Sequence, residues 1–256
     1  MKQIRGTYEG NLQEIDLVKK INIGTFFDFF TNQLSYNKPY CAIRITKNKY
    51  SNFSNRSVKP KSDIVLIEYN STIEKLLIPN DYYLDETILG DSQLTYIPKS
   101  GISVKMNDSK TYQIHKFTLN SFDKVFNNKF LCAGTLMYSK NQVNEVFNRE
   151  MLLKFWNISE ECFFNYFSKN IFQLENQINK YGSIQQYCLV RLKEIVNDNI
   201  KIKQHIFTGK LDFEDPFCAT FSFINNNLET FRYTDFYFSQ GSNRKKNPTI
   251  VVKPKF

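Results

Sequence analysis

From Asn11 to Asn22 the apolar residues Leu12, Ile15, Val18 and Ile21 recur at helical spacing, with Glu14, Lys19 and Lys20 elsewhere. This predicts an amphipathic helix ending near Gly24. The period then changes. CAIRIT, from Cys41, alternates as a strand does and runs into NKYSNFSNRSVKPK, which reads as a loop. Asp63 to Tyr69 has the unbroken apolar density of a covered strand, and Ile73 to Ile78 predicts another before a turn at Pro79-Asn80-Asp81. In KSGISVKMNDSK, residues 99 to 110, Ile102, Val104 and Met106 alternate with Ser103 and Lys105. That is a half-buried strand aiming a serine and a lysine off one face. Beyond it, Ser109 or Thr111 can cap a helix running through Ile114, Phe117, Phe122, Val125 and Phe126.

LCAGTLMYS, 131 to 139, reads as a further buried strand, and Lys140 to about Lys203 is mostly helical by pattern, with a turn at Tyr181-Gly182-Ser183. Cys218 to Ile224 and Glu229 to Tyr233 flank three asparagines, which tolerate positive φ and so predict a hairpin. The chain closes on a basic loop and a short strand at Ile250-Val251-Val252. No internal repeat interrupts this order. The pattern predicts one domain over 1–256, with a core over about 1–139, a helical layer over about 140–207, and a hairpin and basic tail over 208–256. Its class is α/β (α+β), a central mixed sheet flanked by helices.

An apolar fraction of 41% and a charged fraction of 23% suit a globular chain. No run reaches the roughly 18 apolar residues that a membrane span needs, and MKQIRGTYEGNLQE has no signal-peptide core, so a cytoplasmic protein without membrane partners is expected. Five widely spaced cysteines, at 41, 132, 162, 188 and 218, suit neither a disulfide framework nor a zinc site. A net charge of +9 biases the chain toward an anionic partner. The distribution sharpens this, because Thr31 to Ser62 holds no acid while Lys38, Arg44, Lys47, Lys49, Arg56, Lys59 and Lys61 are basic. Such a segment can follow a phosphate backbone or simply be a solvated basic loop.

Metal-dependent phosphodiester hydrolysis needs carboxylate oxygen to hold Mg²⁺ and a nearby lysine to orient water and offset phosphate charge. Adjacent strands can supply both. Asp63 opens one predicted strand, while Lys105 lies on another with Ser103 on its face and the Val104 carbonyl available as a ligand. Taken singly, an aspartate at a strand start or one lysine on a strand is ordinarily a surface residue. Their order, parity and flanking elements carry the signal.

These residues resemble the PD-(D/E)xK nuclease superfamily, and within it short type II restriction endonucleases. KPKSDIVLIEY looks like the first family motif, with Ser62-Asp63 in place of Pro-Asp, and SGISVKMNDSKTYQIHKF looks like the second with its following helix. The separation is longer than usual, with room for a hairpin. Gly10 followed by Glu14 resembles the Gly-x-x-x-Glu element, and Ser109, Lys110, Gln113 and Lys116 resemble the polar side of the helix after the lysine. The resemblance implies a restriction-endonuclease-like fold, Mg²⁺, double-stranded DNA as substrate, a companion DNA methyltransferase and a short palindromic target. Asp63, the Val104 carbonyl and Glu14 would hold metal, and Lys105 would position water. One departure stands out: Ser103 occupies the place of the usual acid.

Further expected DNA contacts are Lys47, Lys49, Arg56, Lys59 and Lys61 in the basic segment and Asn243, Arg244, Lys245 and Lys246 in the tail. Glu68 lies five residues from Asp63, so it faces away on a regular strand and reads as structural, as does His205; His115 is a candidate phosphate contact. Monomer and homodimer both remain open. Two rivals stand beside this reading: a structure-specific repair or recombination nuclease of the same fold, and a non-enzymatic basic DNA- or RNA-binding protein. A methyltransferase is disfavoured, since no glycine-rich loop follows a strand.

Overall fold

The computed structural model describes residues 5–45, 60–84, 88, 94–105, 112–128, 131, 159, 161, 184–241 and 249–255. The fold is α+β, with a five-stranded mixed sheet and a separate three-stranded sheet. The described residues fall into two compact units, one drawn from Met1–Ser109 and Gln204–Tyr233, the other from Lys110–Lys203 and Thr234–Phe256.

The first unit opens with helix α1 (Arg5–Asn22), whose Leu17, Val18 and Ile21 are buried. Gly24, at φ +86, ends it where the sequence predicts, because glycine takes that conformation without a Cβ penalty. A second helix, α2 (Phe27–Leu34), follows, with Phe30 buried. Strands β1 (Tyr40–Arg44) and β2 (Ile64–Glu68) pair antiparallel, Arg44 opposite Ile64. Strand β2 is buried from Ile64 to Ile67, as its apolar density predicts.

The strand expected over Ile73–Ile78 is a helix instead, α3 (Ser71–Leu77), continued by a 3₁₀ turn at Ile78–Asn80. Asn70 caps it, its side chain accepting from the Thr72 N–H at 2.8 Å, and Ile73 and Leu77 bury one face. A cap plus an i, i+4 apolar pair outweighs the strand preference of Thr72 and Ile73. Among the described residues between Asp63 and Lys105, a helix stands where the hairpin's second strand is expected.

Strand β3 (Ile102–Val104) pairs antiparallel with β2 and parallel with β5 (Phe221–Ile224), and β5 turns into β6 (Asn227–Thr230). The sheet order is β1-β2-β3-β5-β6. The asparagine hairpin forms, but around two residues, Asn225 and Asn226 at φ 50 and 62; Asn227 already pairs with Ile224, so the second strand begins at Asn227 and ends at Thr230 instead of running from Glu229 to Tyr233. Gly101, just before β3, lets the segment leading into β5 pass close by, since a Cβ there would meet the carbonyl oxygens of Cys218 and Pro216. The core packs Leu17, Phe30, Ile43, Leu66, Ile102 and Phe221 among others.

In the second unit the helix expected from Ser109 or Thr111 through Phe126 is not continuous. His115–Phe117 form strand β4, paired with β8 (Ile250–Pro254), and of the described residues in that stretch only Leu119–Phe126 are helical, as α4. Thr118 starts that helix with a capping box to Ser121. Strand β8 also pairs β7 (Phe236–Gln240), which alternation does not reveal in the sequence. Helix α5 (Ile184–Asp198) packs on β7, and Lys193 reaches Asp235 at 2.6 Å. Helix α6 (Ile200–Thr208) follows, and its C-terminal part belongs to the first unit. Leu131 is helical and buried, while the rest of the strand predicted over 131–139 and most of the helical run over 140–183 lie outside the described residues. Cys41, Cys188 and Cys218 are buried free thiols. Among the described residues no helix is long and apolar enough to cross a membrane.

Candidate active site

The approach to β2 and the end of β3 bring Asp63, Ser103 and Lys105 together. Asp63 donates its N–H to the Ile102 carbonyl at 2.8 Å, which fixes it beside β3. Its Oδ2 accepts from the Val104 N–H at 2.9 Å and, at 3.5 Å, from the Ser103 hydroxyl. The first is a full hydrogen bond; the second is long enough to add little. Lys105 Nζ donates to Ser103 Oγ at 2.6 Å, and the Lys105 N–H donates to the Phe223 carbonyl at 2.9 Å. A lysine, a serine and an aspartate thus form a chain of contacts anchored by two neighbouring strands.

Two details differ from a half-exposed strand. Ser103 is only 3% exposed, so it is an interior link rather than a surface group. Val104, expected on the apolar side, is half-buried, and its main chain faces the aspartate. In a strand the N–H and C=O of one residue point to the same edge, so the Val104 carbonyl also lies on the Asp63 edge of β3.

Glu14 has a second commitment. Its Oε2 accepts from Arg44 Nε at 3.0 Å and Nη2 at 2.8 Å. Arg44, grouped in the sequence with phosphate-following residues, is in fact 3% exposed, also bonded to Asn11 Oδ1 at 3.0 Å and stacked 4.0 Å from the Tyr83 ring. Its basic charge serves the interior. Register places Arg44 with Ile64 and Ile102, on the sheet face opposite Ser103 and Lys105. The Tyr83 hydroxyl has a raised pKa, first from burial; Arg44 opposes this, and Glu14, Asp63 and Asp81 add to it.

Lys61 is half-buried, and its Nζ donates to the Ile206 carbonyl of α6 at 2.9 Å. Burial pushes its ammonium down to about 7; the charge of Lys105 acts the same way, while Asp212 and Asp63 act against it. Lys61 therefore lies within the electrostatic field of Asp63 and Lys105. Asp212 and His205 carry no motif in the sequence, yet His205 Nδ1 lies 3.4 Å from Asp212 Oδ2. The one sequence signal there is Gly209, at φ +77, around which the chain turns back.

Glu68 accepts from the Tyr36 hydroxyl at 3.2 Å, consistent with a structural role. His115 packs its ring 4.4 Å from that of Phe117 on β4. Gln113 precedes β4 and Lys116 lies on it, so neither belongs to the polar side of a helix. The pairing of 115–117 with Val252, Val251 and Ile250 makes that segment a strand. Lys47, Lys49, Arg56, Lys59, Ser109, Lys110, Asn243, Arg244, Lys245 and Lys246 lie outside the described residues.

Among the described residues no three His, Cys, Asp or Glu side chains gather in a metal-holding group. Mg²⁺ commonly keeps several waters and takes one or two carboxylates. One carboxylate, Asp63, and one carbonyl on its edge, Val104, fit a largely hydrated ion rather than a protein cage. No family model and no curated protein sequence matches the chain.

Proposed function

We propose that the chain is a Mg²⁺-dependent endonuclease that hydrolyses phosphodiesters of double-stranded DNA, in the manner of a type II restriction enzyme. The observation that supports it is the hold of β3 on Asp63 through the Val104 N–H, 2.9 Å, beside Lys105. A carboxylate and an amine in fixed relation are what phosphate hydrolysis uses.

Bound at Asp63 and the Val104 carbonyl, Mg²⁺ would supply charge neutralisation at the scissile phosphate. Lys105 orients the attacking water and meets a phosphate oxygen; an ammonium has three donors, and one rests on Ser103 Oγ at 2.6 Å. Ser103 fixes the direction of that ammonium, the task left to it where an acid is missing. A restriction role further implies a short palindromic target and a companion methyltransferase, with the enzyme acting as a monomer or homodimer. The net charge of +9 suits a polyanionic substrate.

Incubation of the purified chain with a sequenced phage genome and Mg²⁺, followed by mapping of ends, tests this. Discrete fragments sharing one short sequence at their ends are expected. Cutting only at junctions, flaps or single-stranded regions would turn the reading toward a repair nuclease, and metal-independent binding without cutting toward a binding protein.

A further inference from the structure

We propose that Lys61 is a positioning residue of this site: by tying the approach to β2 to the last turn of α6, it fixes where the Asp63 carboxylate meets β3. The inference rests on the Asp63–Lys105 reading for its functional meaning, but its geometry stands apart from it.

Asp63 stands one residue before β2, with its main chain bonded on both sides; what the sheet does not hold is the pair of residues that lead into it. The residues before it are held by another part of the chain. Lys61 Nζ donates to the Ile206 carbonyl at 2.9 Å. The Ser62 N–H and hydroxyl both donate to the Phe217 carbonyl, at 3.2 and 3.0 Å, and Ser62 is 1% exposed. Asp63 itself accepts at its carbonyl from the N–H of Ile45, one residue past β1, at 3.0 Å and donates to the Ile102 carbonyl of β3 at 2.8 Å. Three consecutive residues therefore reach three different places: α6, the 217 carbonyl and the sheet.

The lysine stem has a shaped seat. A Cβ at Gly209 would lie 2.6 Å from Lys61 Cγ and 2.6 Å from the Phe213 ring, so glycine leaves the room the stem fills. Ile206 stands in the last turn of α6, where carbonyl oxygens lack helical partners and the helix dipole is negative. A cation from outside the helix satisfies both. Burying an ammonium there costs desolvation, which an apolar side chain in the same seat would avoid. The hydrogen bond, rather than packing, is what lysine adds.

Lys61→Met removes the donor and keeps the stem; Lys61→Gln keeps an amide donor and removes the charge. Amide exchange at Val104, whose N–H is held by Asp63, reads the carboxylate's position without reference to activity. Exchange at Lys105, bonded to β5, serves as control. In Lys61→Met the Val104 amide should lose at least about tenfold protection with Lys105 unchanged, and Lys61→Gln should stay near wild type. Lys61→Ala makes the same comparison if Lys61→Met does not fold. Where the wild type cuts DNA, Lys61→Met should also need several-fold more Mg²⁺ for half-maximal rate, with duplex affinity in Ca²⁺ unchanged. Wild-type protection of Val104 in Lys61→Met, or equal loss at Val104 and Lys105, overturns the inference. Failure of the wild type to cut DNA overturns the nuclease reading alone.

Discussion

Removal of Glu14 should destabilise the chain through Arg44. The guanidinium is 3% exposed and the carboxylate side chain 18%, with Nη2 to Oε2 at 2.8 Å. In Glu14→Ala the cation stays inside with Asn11 Oδ1 at 3.0 Å, a marginal contact to the Asp81 carbonyl at 3.4 Å and the Tyr83 ring. Breaking a buried pair from one side costs about 3 to 5 kcal/mol. The remaining acceptors and the partial exposure of Glu14 bring the expectation to the lower end, about 3 kcal/mol. Replacing both partners, Glu14→Leu with Arg44→Met, removes the stranded charge and should recover about 2 kcal/mol of that loss. Urea denaturation of the wild type, Glu14→Leu, Arg44→Met and the double gives the coupling directly, provided the m-value holds constant. A loss below about 1 kcal/mol in Glu14→Ala, or a double variant no more stable than the single, would refute the reasoning.

Three more expectations follow from the site and its frame. Ser103→Ala removes the contact of Lys105 Nζ to Oγ without opening a cavity; it should cost about 1 kcal/mol in denaturation and slow single-turnover cleavage about tenfold or more. Folding disfavours the charged form of Lys61, whose ammonium sits at about 7 rather than 10.5. The unfolded chain thus holds the extra proton between those values, and Lys61's contribution to stability rises with pH across them, its penalty being complete below pH 7. Cys41 and Cys218 thiols, pushed up by burial to about 11, oppose this only above pH 9. Solvent contact of the lysine screens part of the effect, so chemical denaturation at pH 7 and 9 should show the wild type gaining about 1 to 2 kcal/mol relative to Lys61→Met; no gain counts against the burial argument. Gly101→Ala drives a Cβ into the Cys218 and Pro216 carbonyls and should cost about 3 kcal/mol or prevent folding, as circular dichroism and melting would report.

Sequence periodicity revealed those parts of the fold in which local pattern and tertiary burial agree. Helix α1 ends at its glycine, β2 follows its apolar run, and the asparagine turn forms its hairpin. Strand β4 escaped because its three residues are made a strand by Val252, Val251 and Ile250, far along the chain. Segment 71–77 misled because Thr72 and Ile73 favour strands, while the deciding signals were the Asn70 cap and the 73/77 spacing. At the site, the order of Asp63 and Lys105 and the link through Ser103 could be read from alternation. The burial of Arg44 and Lys61 could not, because the identity of a basic residue does not say whether Glu14 or the Ile206 carbonyl waits for it. Asp212 and His205 meet across Gly209 only once α6 turns back.

The most direct test is single-turnover cleavage of duplex DNA in Mg²⁺ by the wild type, Asp63→Asn and Lys105→Ala, with duplex affinity measured in Ca²⁺. The expected result is cutting by the wild type and a loss of at least about a hundredfold in each variant, with binding kept within a few-fold. Cutting by either variant at the wild-type rate would contradict the assignment of chemistry to Asp63 and Lys105.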